Sequence, residues 1–244
     1  MYNVRMLSPV QLSADTGLVG HISNQLAMAI IKGELEEGAK LSEEQLAQAF
    51  GISRTPVREA IRVLARDGLV QLAPRRGARV ISFTPKWTAD VYLCRAYLQG
   101  LAAKLATNRV TWADLEACRT WLAEMRSAAE SQDAHAHFTA VVAWHSLLSE
   151  RAGNEPLEAM MTSLGRRIQR LRYVAAQIPG QIARSAVRHA ELYDALETRD
   201  GLAAERAVRL TIAEAGEAVM EHHFGISKEQ LAAPPFGLRQ IIDT

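Results

Sequence analysis

Sixteen residues, SRTPVREAIRVLARDG from Ser53 to Gly68, constrain the fold more tightly than any other stretch of this chain. At about 100° per residue, Val57, Ala60, Ile61 and Leu64 fall on one arc of a helix. Arg54, Thr55, Arg58, Arg62 and Arg66 fall on the neighbouring arc. Ser53 suits the N-cap, Pro56 then sits in the first turn where its missing N–H costs little, and Gly68 ends the helix. Such a helix must bury one side and hold guanidiniums on the other.

Charge is concentrated around this helix. From Gly51 to Val80 there are seven arginines against Glu59 and Asp67, whereas the whole chain carries a formal net charge of +1. A solvated face normally mixes signs; a one-sided basic arc after a short turn points to a phosphate-bearing partner. Upstream, Leu18, Ile22, Leu26, Ala29 and Ile30 recur at helical spacing, with Gly33 just beyond. In KLSEEQLAQAFG, Ser42 and Gln45 have capping-box spacing, and Glu43 and Glu44 suit the positive end of the helix dipole. Gly51 permits the tight turn that follows. After Gly68, LVQLA and ARVISF read as two strands joined by PRRG. Three helices and a basic hairpin form a winged helix-turn-helix pattern.

The chain from about Thr84 to Phe224 is rich in Ala and Leu at helical spacing, with breaks near Thr107–Thr111, Gly153–Pro156, Pro179–Gly180 and Asp200–Gly201. The expected fold class is therefore mainly α: an N-terminal winged helix-turn-helix with a small β-hairpin wing, then an all-α bundle of about six helices. The expected domains are 1–82 for DNA binding, 83–86 as linker, 87–224 as the helical bundle, and 225–244 as a tail ordered in part at best. No apolar run approaches the roughly 20 residues of a membrane helix. The N-terminus lacks signal-peptide character, and Cys94 and Cys118 make no disulfide framework. A cytoplasmic setting is expected.

LSEEQLAQAFGISRTPVREAIRVLARDGLVQLAPRRGARV resembles the DNA-binding module of GntR-family bacterial transcription regulators, with S-R-T-P-V-R-E as its core. DVYLCRAYLQGLAAKLA, WHSLLSERAGN and HAELYDALETRDGLAAERA resemble the helical effector domain of the FadR-like, FCD-type subgroup. The resemblance implies a homodimer, usually a repressor, that binds a short, roughly palindromic double-stranded operator and responds to a small molecule. It implies DNA contacts by Ser53, Arg54, Thr55 and Arg58. Arg62 and Arg66 suit phosphate contacts or plain exposed charges, and Arg76 and Gly77 match the wing tip near the minor groove. At Glu44 the family commonly has a basic residue, so that contact is expected to be absent.

Many members of the subgroup bind a divalent metal through one Asp and three His. Here His145 and His189 match two of them, while Val141 and Thr211 stand at the other two positions. No resident cofactor is expected from so few ligands; Zn or Ni held through His145 and His189 is the alternative. His137 lies about 12 Å along the helix from His145, too far to share one ion. Arg95 matches an inward arginine of the family, and Gln99 stands where Glu is usual. Arg95, Gln99, His145 and His189 are thus the expected effector-binding residues, and a carboxylate the expected effector. A helical domain that only dimerises is the remaining alternative. No Gly-rich phosphate loop, G-x-S-x-G or H-E-x-x-H occurs, so no enzyme and no catalytic residue is expected.

Overall fold

A computed structural model describes residues 17–73 and 77–232. The contacts divide the chain into two units, the first ending at Phe83 and taking in Gly165–Arg170, the second beginning at Thr84.

The first unit is built from α1 (Gly17–Lys32), β1 (Lys40–Leu41), α2 (Glu43–Phe50), α3 (Arg54–Arg66), β2 (Val70–Ala73) and β3 (Gly77–Val80). Ser42 caps α2 by accepting from the Gln45 N–H. Gly51, at φ +68°, takes the left-handed conformation that ends α2 and lets the chain turn into α3. Val57, Ala60, Ile61 and Leu64 are all buried, packed with Leu26, Ile30, Leu46 and Phe50. Burying Val57, Ile61 and Leu64 contributes about 1.5–3 kcal/mol each, which is what fixes the orientation of α3.

The sheet is antiparallel in the order β1-β3-β2, with Val70 opposite Val80 and Ala73 opposite Gly77. It differs from the expected hairpin in two ways. A third strand, β1, pairs Lys40 with Arg79 and Leu41 with Ala78. And β3 ends at Val80: the Ile81 N–H still donates to the Leu69 carbonyl at 3.0 Å, but by Phe83 the backbone N–H has turned to the Glu37 carboxylate, at 3.2 Å. The wing residues 74–76, and with them Arg75 and Arg76, lie outside the described residues.

The second unit contains α4 (Pro85–Thr107), α5 (Trp112–Ser131), α6 (Ala134–Ala152), α7 (Glu155–Ala176), α8 (Gln181–Glu197), α9 (Gly201–Phe224) and a short α10 (Lys228–Ala232). Helix α4 starts inside the stretch expected to be linker, because Thr84 caps it by accepting from the Trp87 N–H and Pro85 occupies its first position. A break at Gln132–Asp133, absent from the expected set, separates α5 from α6. Gln132 closes α5 at φ +55°, and Asp133 opens α6 by accepting from the N–H groups of His135 and Ala136. Helix α7 leaves helical geometry at Gly165 (φ +49°, ψ −142°).

Helices α4 and α9 pack closely. A Cβ at Gly216 would stand 2.9 Å from the buried ring of Tyr92, so only glycine admits this approach. Between α5 and α6, Arg151 donates to both oxygens of Asp114, at 2.7 and 3.0 Å. That partner, with the Thr111 cap, holds the Asp114 carboxyl down to about 2. Both cysteines are free thiols, Cys94 exposed and Cys118 buried. Among the described residues no helix is long and apolar enough to cross a membrane.

The tail beyond Ala232 lies outside the described residues.

Candidate functional site

Among the described residues, two places gather polar and charged side chains beyond what packing needs, one in each unit. The first is the outer face of α3. Ser53, Arg54, Thr55, Arg58 and Arg62 are all exposed, as is Gly77 at the start of β3. Ser53 opens α3 in extended conformation (φ −73°, ψ 164°) without a side-chain capping bond. Residues from α2, α3 and the sheet line one groove, Glu44, Arg54, Arg58 and Gly77 among them.

The guanidiniums of this face are not folded into the core; they meet carboxylates of α2 and α3. Arg54 Nη2 lies 2.7 Å from Glu44 Oε1, with the side chains 58% and 72% exposed. Arg58 donates from Nε and Nη2 to Glu43 at 3.0–3.2 Å. Arg62 donates to Glu59 at 2.8 Å. Exposed pairs of this kind contribute about 0–1 kcal/mol, so they orient side chains more than they stabilise the unit.

The second place is a cavity of about 30 Å³ inside the helical unit. Five helices supply its walls: Arg95 from α4, His137 and His145 from α6, Arg172 from α7, His189 from α8 and Thr211 from α9. Arg95 is 3% exposed; its Nε donates to Gln99 Oε1 at 3.1 Å, and its Nη1 has no partner. Gln99, expected at the ligand, stands behind Arg95 instead, one turn further along α4, and is not among the wall residues. Arg172 is partly exposed as a residue, but its Nε and Nη2 are shut off from solvent without a partner. No carboxylate is among the described wall residues. Burial lowers the pKa of both guanidiniums; the positive charge of Arg95 lowers that of Arg172 further, while Tyr92 acts the other way on both. Arginine nonetheless stays protonated at neutral pH.

His145 and His189 meet edge to face, with ring centroids 5.7 Å apart. His189 Nδ1 lies 2.8 Å from the Ser185 carbonyl, which can only accept, so the proton sits on Nδ1. Its Nε2, and Nε2 of His145, have no partner. Burial holds His189 down to about 4 and His137 to about 3, and pushes His145 well below the usual range.

The seat is poor for a divalent ion. Among the described residues no three His, Cys, Asp or Glu side chains come together to hold one. Val141 offers no donor, and the Thr211 hydroxyl donates back to the Ala207 carbonyl at 2.7 Å. Two guanidiniums in the same walls repel a dication.

Sequence reasoning missed Arg172, which sits near Arg166, Arg167 and Arg170 in what reads as a solvated basic run. It also set His137 aside. The helical rise does keep His137 from sharing an ion with His145, yet it lines the same elongated cavity. Only its place on the helix face of His145, two turns away, could have signalled that.

A winged helix with an exposed basic face, and a helical unit enclosing a polar cavity, define a DNA-binding regulator with a sensing domain. The models of two families match: "Bacterial regulatory proteins, gntR family" over residues 18–80 and "FCD domain" over residues 90–214. The chain belongs to the GntR family of bacterial regulators, in the subgroup with an FCD domain. The repressor RspR of Escherichia coli is 26% identical over 216 residues, covering 88% of this chain and 95% of RspR. A probable D-xylose utilization operon repressor of Paenarthrobacter nicotinovorans is 30% identical over 194 residues, covering 79% of this chain and 84% of that protein. In fold, E. coli McbR/YncC is similar with a TM-score of 0.74 at 21% identity, covering 88% of this chain and all of that one.

Proposed function

We propose that this GntR-family regulator is a homodimeric repressor whose grip on a palindromic operator is set by a small organic acid bound in the cavity of the helical unit. One observation carries the effector class: Arg95 Nη1 and Arg172 Nε and Nη2 are closed off from water and unpartnered, in walls that hold no described carboxylate. Buried donors of this kind are costly unless something accepts from them. A carboxylate does so with matching planar geometry. The unpartnered nitrogens of His145 and His189 are placed to bond the remainder of the acid, and no resident metal takes part.

A thermal-shift screen of small carboxylates and of Zn²⁺ and Ni²⁺ on the purified protein tests this reading. A rise in melting temperature with one or more acids, and little with either metal, is expected. A large shift with the metals alone overturns it.

At the DNA, Arg54 and Arg58 in the first turns of α3 read base edges, with Ser53 and Thr55 beside them, while Arg62 meets phosphate. Gly77 lets the wing backbone approach the minor groove, where Arg76 would insert. Arg54→Ala is expected to cost about 1–3 kcal/mol on the operator and to relax sequence preference, whereas Arg62→Ala weakens all DNA about equally. Binding titrations on operator and random duplexes measure both; equal losses on the two duplexes for Arg54→Ala remove its base-reading role.

A further inference from the structure

We propose that Glu44 is a specificity determinant of the DNA-reading face: it holds Arg54 in position and, in doing so, gives up sequence-independent attraction to phosphates for discrimination between base sequences. The inference rests on Arg54 reading a base, as proposed above.

Three observations lead to it. First, the pair is exposed, so it adds little to the stability of the unit and calls for another explanation. Second, the two pairs between α2 and α3 engage their arginines differently. Glu43 takes the Nε and Nη2 donors of Arg58 together, which occupies one whole edge of that guanidinium. Glu44 takes Arg54 only through Nη2. Glu44 needs only one of the two Nη2 hydrogens, and Nε and Nη1 keep theirs, so one two-donor edge of Arg54, the second Nη2 hydrogen with its neighbour, stays open to a guanine while Glu44 remains in place. Third, Glu44 stands in the first turn of α2 and lines the same groove as Arg54 and Gly77. A carboxylate there faces the phosphates of any DNA that enters.

The physical consequence has two parts. An arginine loses much side-chain freedom when it is fixed on a base edge. If a neighbour already fixes it in the free protein, less is lost on binding, and the gain goes to the sequence that offers the right acceptors. The same carboxylate lowers the attraction to phosphates on every sequence, because non-specific affinity follows the net count of neutralised phosphates. Together these widen the gap between operator and random DNA from both sides.

The test uses the full-length protein, a duplex selected by it from a random library, and a scrambled duplex of the same length. Glu44→Gln removes the charge. Glu44→Asp keeps the charge but shortens the reach to Arg54. Glu59→Gln removes a comparable exposed carboxylate, the partner of Arg62, and serves as the charge control.

Glu44→Gln is expected to tighten the scrambled duplex by about three- to tenfold and the selected duplex by less than about twofold, as loss of one repulsive charge predicts. The specificity ratio therefore falls by between about 1.5-fold and about tenfold. Glu44→Asp lowers the ratio mainly by weakening the selected duplex. Glu59→Gln tightens both duplexes in step. If Glu44→Gln also moves both duplexes in step, or moves neither, the inference fails. Arg54→Ala on the same pair of duplexes separates the two layers. An unchanged ratio for Arg54→Ala removes the base-reading role itself, whereas a collapsed ratio for it beside an in-step Glu44→Gln removes only the part given to Glu44.

Discussion

Arg172→Met is expected to make the ligand-free protein more stable and to abolish its response to carboxylates. The two effects come from one cause. In the free protein, Nε and Nη2 of Arg172 are out of water, unpartnered, and in the same walls as a second buried guanidinium, Arg95. Methionine fills similar space without a charge, and replacing buried charge by apolar side chains is commonly neutral or stabilising by about 1–4 kcal/mol. Arg172 is partly exposed, so the gain belongs at the low end, about 1 kcal/mol, or about 2–4 °C in melting temperature for a chain of this size. Removing one partner of a buried charge-assisted hydrogen bond to a ligand costs about 2–5 kcal/mol, which weakens an acid by roughly 30-fold to several thousand-fold. Calorimetry with and without a carboxylate identified in the screen measures both. A variant that is less stable and still binds the acid with wild-type affinity would show that the guanidinium is structural.

The second large effect is on pH. His137 and His189 are held near 3 and 4 in the folded protein by burial. In the unfolded chain they titrate near 6.5. Because the folded pKa is the lower one, the unfolded state takes up protons first as the pH drops. Stability is intact above about 6.5 and is lost progressively down to the folded values. At pH 5 each of these histidines removes about 2 kcal/mol. His145 acts in the same direction. Beside burial, the positive charges of Arg172 and Arg95 help to keep His145 and His189 neutral, and His189 acts in the same direction on His137. Asp114, held near 2, is ionised in the folded and the unfolded chain alike between pH 7 and pH 5, so it does not contribute to the loss over that range. Urea unfolding should show a stability lower at pH 5 than at pH 7 by at least about 4 kcal/mol, the share of His137 and His189 alone, with His137→Gln and His189→Gln each flattening the profile. Equal midpoints at the two pH values would mean that these rings are solvated in solution.

Much of the architecture was legible in the sequence because amphipathic periods and caps are local signals. The apolar arc of α3 is buried residue for residue, and Ser42 caps α2 as its spacing with Gln45 suggests. What escaped is set by tertiary context. A two-residue strand such as β1 has no period to detect; only its pairing with Arg79 and Ala78 makes it a strand. The break between α5 and α6 rests on Gln132 and Asp133, neither a glycine nor a proline, and Gln132 adopts a left-handed conformation that the residue seldom takes. In the cavity the chemistry of Arg95 was readable but its surroundings were not. Gln99 turns out to buttress that arginine, and Arg172 is singled out from its basic neighbours only by the direction in which α7 carries it inward. The ion pairs of Arg54 and Arg58 need the turn at Gly51, which brings two stretches ten and fifteen residues apart into reach.

Arg95, His145, Arg172, His189 and Thr211 reach the cavity from five different helices. A guest that accepts from Arg95 and Arg172 and bonds the free nitrogens of His145 and His189 restricts four of these rods at once, since each loses the freedom its unpartnered group had. The message of occupancy is then written in the slackness of the whole bundle and not in the swing of a single hinge, and substitutions in any of the four rods could retune it.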